Sequence, residues 1–109
     1  MRASAAGALR HRLVLEQAVR VDDGGGGASE SWQAVATLWA ALRPLPGGEA
    51  VEAGRLSGRR RIEVTIRYRS GVTPAMRFRL GARIFHILSV ANPEERNVWL
   101  VAECEERDL

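Results

Sequence analysis

The chain contains no lysine, and all sixteen of its basic residues are arginine. Guanidinium groups pair bidentately with phosphate and carboxylate, but a GC-rich coding sequence produces the same bias and is the plainer source. Cysteine is nearly absent. The single Cys104 excludes an internal disulfide; the chain reads as a product of a reducing compartment, with Cys104 a small buried hydrophobe on an apolar strand rather than a nucleophile. No uncharged apolar stretch approaches the ~20 residues that a bilayer crossing needs. Residues 1–8 are small and flexible in composition, with no apolar run of signal-peptide length after them. The chain therefore reads as soluble, with no membrane partner. The only histidines, His11 and His86, lie far apart without cysteine or carboxylate at zinc spacing, so neither a metal site nor a cofactor is expected. There is no Gly-x-Ser-x-Gly elbow, and the paired acids Glu94-Glu95 and Glu105-Glu106 are adjacent, facing opposite ways on a strand or solvated on a loop. Catalysis is not expected.

What is present is charge in blocks. Residues 55–83 hold nine arginines against one acid, Glu63, so this stretch alone is about +8 while the whole chain is +3. Within it, apolar Ile62, Val64, Ile66 and Tyr68 alternate with polar Glu63, Thr65, Arg67 and Arg69. Period two marks a half-buried strand with one core face and one charged face. A cationic surface of this density suits a protein that faces phosphate or an acidic partner, although solvated outer-face charges are the ordinary alternative.

At 109 residues, 46% of them hydrophobic, the chain can build one modest core, and we read residues 1–109 as a single domain. Strands are predicted over about 9–17, 36–43, 61–69, 76–80, 83–90 and 98–105, with Leu13 and Leu15 facing inward on the first. Residues 22–30 hold four successive glycines and read as a flexible hairpin tip. Residues 45–60 form a long connection with room for a short helix, and its exit into Arg59-Arg60-Arg61 singles it out. Six short strands separated by turn signals predict an all-β fold, a small antiparallel barrel whose closure removes exposed edges. Trp32, Trp39 and Trp99 lie outside the arginine-rich segment and are assigned to core or subunit-interface packing rather than base stacking. Tyr68 and Phe78, the aromatics inside that segment, alternate onto its apolar side.

The order of several short motifs resembles the phage head–tail joining family, also called head-closure, head-completion or stopper proteins. The resemblance covers most of the chain. Its elements are Leu9-Arg10-His11-Arg12-Leu13, then Ser31-Trp32, then Val35-Ala36-Thr37-Leu38-Trp39-Ala40 with Arg43-Pro44-Leu45 and Gly48-Glu49. Ile66-Arg67-Tyr68-Arg69, Gly71-Val72-Thr73-Pro74-Ala75-Met76-Arg77 and Gly81-Ala82-Arg83-Ile84-Phe85 follow, and Glu94-Glu95-Arg96-Asn97 stands near the end.

The resemblance implies a structural connector, assembled in a host cytoplasm, that forms a ring at the head–tail junction of a tailed phage or gene transfer agent. That ring would close or line the channel for packaged double-stranded DNA. Its partners would be further copies in a six- or twelve-fold ring, a portal or adaptor ring on the head side, and a tail terminator or tail tube on the other. The long loop would reach the channel, placing Arg55, Arg59, Arg60 and Arg61 near DNA. Trp39, Arg43, Pro44, Leu45, Glu49, Arg67, Arg69, Glu94, Glu95 and Arg96 would serve subunit or ring contacts. The acids concentrated from Glu94 onward, set against the basic middle, point to subunit-to-subunit or ring-to-ring charge matching. The alternative from the residues alone is a free-standing, basic nucleic-acid-binding module of the oligonucleotide-binding barrel type. A small-molecule-binding barrel would require convergent interior polar groups, which are not evident.

Overall fold

The computed structural model describes residues 8–46, 51–52, 55–56 and 59–107, the backbone alone for residues 51–52 and 55–56. Among the described residues eight strands occur in chain order: β1 (His11–Asp22), β2 (Ala28–Pro44), β3 (Val51–Glu52), β4 (Arg55–Leu56), β5 (Arg59–Arg67), β6 (Met76–Leu80), β7 (Arg83–Ala91) and β8 (Trp99–Arg107). Six of them close into an antiparallel barrel in the order β1-β2-β5-β8-β7-β6, joined by the β1–β6 pairing of Leu15 with Phe78 and Gln17 with Met76. The expected all-β barrel of six strands is present, and a 3-10 turn, Pro93–Glu95, stands between β7 and β8.

Alternation along each strand builds the core. Leu13 and Leu15 of β1, Ile62, Val64 and Ile66 of β5, Phe78 of β6, Phe85 and Ile87 of β7, and Leu100, Ala102 and Cys104 of β8 all point inward and are buried. Each large side chain removed from water contributes about 1.5–3 kcal/mol before chain entropy is subtracted. No tryptophan belongs to this core cluster. Leu80 pairs with Arg83 across a two-residue reversal, where Gly81 has φ +62, a left-handed conformation that favours glycine.

Four local expectations change. The first two strands run past their predicted ends: β1 continues to Asp22 and β2 starts at Ala28, because cross-strand pairs such as Arg20 with Glu30 and Val21 with Ser29 extend the hairpin. The tip shrinks to residues 23–27, where the Asp23 carboxylate accepts hydrogen bonds from the N–H groups of Gly25 (2.8 Å) and Gly27 (3.1 Å). Where the sequence left room for a short helix, the described backbone of residues 45–60 instead pairs β3 with β4, Val51 opposite Leu56 and Glu52 opposite Arg55. Tyr68 lies beyond the end of β5 and is exposed rather than on the core side.

The long first hairpin outgrows the barrel. β6 pairs with β1 only from Val14 to Gln17, and β5 pairs with β2 only from Ala40 to Pro44. Residues 18–22 and 28–32 therefore hydrogen-bond only to each other within the barrel sheet and project as a two-stranded arm. At about 3.3 Å per residue the arm reaches roughly 17 Å past the wall. Both of its outer backbone edges are open.

Candidate functional site

The charge blocks of the sequence are interleaved in space. β5 pairs with β8, placing Arg60 opposite Glu106 and Arg61 opposite Glu105, so the basic middle of the chain meets its acidic end inside one subunit. Arg61 bonds to Glu103 on the outer face. Arg107 bonds to Glu105 at 3.0 Å. Glu103, Glu105 and Glu106, expected to take part in charge matching between subunits or rings, have their carboxylates bonded within the subunit.

Two buried acids organise the arginines. Glu106 lies on the inward parity of β8, 5% exposed, and caps the barrel end. Arg83 donates to it from Nε (2.7 Å) and Nη2 (2.9 Å), and Arg60 stands 3.8 Å away. The Arg83 hydrogen bond outweighs burial and holds the Glu106 carboxyl below the usual carboxylate range. Glu16, also 5% exposed, accepts Nε bonds from Arg77 and Arg79, each at 2.8 Å. Burial pushes its pKa up, but the hydrogen bonds from Arg79 and Arg77 win, and the net direction is down.

The tryptophans meet the arginines on the outside. Arg77 stacks over Trp32 at 4.0 Å, Arg12 over Trp39 at 5.3 Å and Arg67 over Trp99 at 5.6 Å. Segment arithmetic in one dimension had separated these residues; strand pairing joins them. Trp39 is 52% exposed, which removes it from core packing. Beside the Arg77–Trp32 stack, Trp32 meets His86 edge-on at 6.5 Å, and burial, then Arg107 and Arg77, lower the imidazole pKa. A shallow depression of about 470 Å³ lies between Arg77, Arg83, His86 and Arg107.

The sequence-predicted residues fall at several places. Arg59, Arg60 and Arg61 open β5, with Arg59 exposed and Arg60 half-buried. The Arg55 backbone lies in β4; its side chain, like all of Glu49, falls outside the described residues. Arg43 at the end of β2 bonds Glu63 at 3.0 Å, next to exposed Pro44. Leu45 ties the chain back through its N–H to the Arg61 carbonyl at 2.9 Å. Arg69 follows β5 and is half-buried. Glu94, Glu95 and Arg96 form the exposed β7–β8 turn, with Arg96 on Glu94 at 3.3 Å. Sequence reasoning missed Glu16, Trp32 and Trp99 as partners of the arginines, and Arg12 as the partner of Trp39. Only Glu16, an acid at a strand position flanked by apolar Leu15, carried a signal.

The phage head completion protein family matches residues 5–107. Among solved structures, a chain of a native gene transfer agent virion is 34% identical, with a TM-score of 0.70, covering 92% of this chain and 96% of that one. The solution structure of protein SF1141 from Shigella flexneri 2a shares the fold at 21% identity, TM-score 0.69, covering 94% of this chain and 96% of that one. No curated protein matches. A barrel with a projecting hairpin and a family match over nearly its whole length settle the kinship: the chain belongs to the phage head completion protein family and is a virion component.

Proposed function

We propose that the protein is a non-enzymatic connector that assembles as a ring at the head–tail junction of a phage-like particle and closes or lines its DNA channel. The observation that carries this reading is the likeness, over 92% of the chain, to a subunit of a gene transfer agent virion. The geometry supports it: a 109-residue barrel extends an arm with two open edges. A two-stranded ribbon is marginal alone in water, and its unpaired backbone groups are suited to a neighbouring chain. The ring sits between a portal or adaptor and a tail terminator or tube, and residues 45–60 face the channel.

In this reading Arg55, Arg59, Arg60 and Arg61 favour packaged DNA through phosphate attraction. The test replaces all four with alanine and measures DNA retained in purified particles. Loss of retained DNA with the ring still in place is the expected result. Glu106 keeps its bidentate Arg83 in that variant, so the barrel end stays closed. Unchanged retention would remove the arginines from the channel.

A further inference from the structure

One row on the outer face stands apart from every other arginine cluster. Arg12 pairs with Trp39 across β1 and β2, and Arg67 pairs with Trp99 across β5 and β8. One step beyond the β2–β5 pair of Ala40 with Ile66, the same register sets Trp39 beside Arg67. Arginine and tryptophan thus alternate across four adjacent strands. Arg43, Arg61, Arg77, Arg79, Arg83 and Arg107 each bond a carboxylate. Arg12 and Arg67 instead lie over indole rings and have no carboxylate partner among the described residues. A stacked guanidinium keeps its N–H edge available to an acid, and a half-exposed tryptophan flanked by arginines has the composition of an interface anchor.

The complementary element is the β7–β8 turn. Glu94, Glu95 and Asn97 all hold positive φ, 56, 54 and 58, a conformation that costs non-glycine residues free energy. Asn92 clamps the turn, donating to the Asn97 side chain at 2.8 Å and accepting from its N–H at 3.1 Å. Glu94 engages Arg96; Glu95, anchored by its N–H to the Asn92 carbonyl at 2.8 Å, is exposed, and its carboxylate has no partner among the described residues. In the closed order β1-β2-β5-β8-β7-β6, β1 and β8 are three strands apart by either route. Arg12 and the start of β8 therefore lie on opposite sides of the barrel, while Arg67, paired with Trp99, stands beside the turn; the row runs from the turn's own side to the far side, so a head-to-tail contact at its Arg12 end can propagate around a ring.

We propose that the outer-face row Arg12–Trp39–Arg67 is the docking surface for the Pro93–Glu95 turn of a second copy, whose Glu95 carboxylate bonds the edges of the two stacked guanidiniums. This rests on the ring reading, supplies its subunit contact, and uses an exposed acid of the clamped turn. The test is charge reversal in particles assembled from the full chain. Arg12→Glu lowers incorporation at the junction by about tenfold, the effect of roughly 1.4 kcal/mol, and adding Glu95→Arg to the same chain restores most of it. A second measurement mixes Arg12→Cys chains with Glu95→Cys chains, and a disulfide forms between the two kinds but not within either.

Full incorporation of Arg12→Glu in an intact ring, or a defect that Glu95→Arg does not relieve, overturns the docking proposal and leaves the ring standing. The unrelieved defect is also what a row facing DNA phosphate would give. Absence of the unmodified chain from any junction ring overturns both. Circular dichroism of each soluble variant separates lost assembly from lost folding.

Discussion

Replacing Glu16 by glutamine removes the charge that two arginines share while keeping the shape of the side chain. The Arg77 guanidinium is 19% exposed in its side chain, so its charge-assisted bond carries close to the full value of about 2 kcal/mol. Arg79 is 40% exposed, and solvent screening reduces its share to about 0.5 kcal/mol. The amide also turns a donor towards one of the arginines. A loss of about 2.5 kcal/mol follows, and for a chain of this length, with an unfolding entropy near 0.23 kcal/mol/K, Tm falls by about 10 °C at pH 7. The acid limb supplies the control. Glu16 titrates lower in the folded protein than its ordinary value of 4.5, so the unfolded chain takes up the proton first. The stability it contributes is present above pH 4.5 and is lost as pH falls through the folded pKa. Thermal unfolding followed by circular dichroism therefore shows a wide gap between wild type and Glu16→Gln at pH 7 that narrows towards pH 3. A gap below about 2 °C at pH 7, or one that persists undiminished in acid, would refute the assignment of Glu16 as a buried anion between Arg77 and Arg79.

Further outcomes follow from the same geometry. Phe78→Ala empties a fully buried position between Leu15 and Phe85 and costs about 3–5 kcal/mol in denaturant titration. The Cys104 thiol is buried and its pKa is pushed up to about 12 by burial, with Glu103 adding to the shift, so a thiol reagent at pH 8 labels it only after denaturant is added. Joining Val21 to Ser29 through a short two-residue turn removes the arm tip. It leaves the barrel melting temperature within a few degrees, because residues 18–22 and 28–32 contribute nothing to the core cluster, while incorporation into particles drops.

The barrel was legible because its strands alternate cleanly. Ile62, Val64 and Ile66, or Leu100, Ala102 and Cys104, declare an inner face by period two alone. The extended first hairpin was not, since Ala18, Ser29 and Ser31 are small or polar on both faces and pair only through the backbone. The arginine pattern was readable as density but not as chemistry. Whether Arg77 faces phosphate or Glu16 depends on β6 pairing with β1 across sixty-one residues, and no local spacing encodes that register. The same holds for Arg67 and Trp99, and for Arg83 and Glu106. Tryptophans assigned by their bulk to a core or an interface lie outside the core cluster with guanidinium groups stacked on them, because β-strand parity outranks residue type when the core is already filled by Phe78 and Phe85.

Cryo-electron microscopy of particles from cells producing the chain tests the connector role most directly. A closed ring of barrels at the head–tail junction, with residues 45–60 turned towards the channel, is the predicted result. Intact, DNA-filled particles whose junction lacks the chain, with the purified protein binding nucleic acid in a salt-sensitive way, would contradict the account and make it a free-standing binding module.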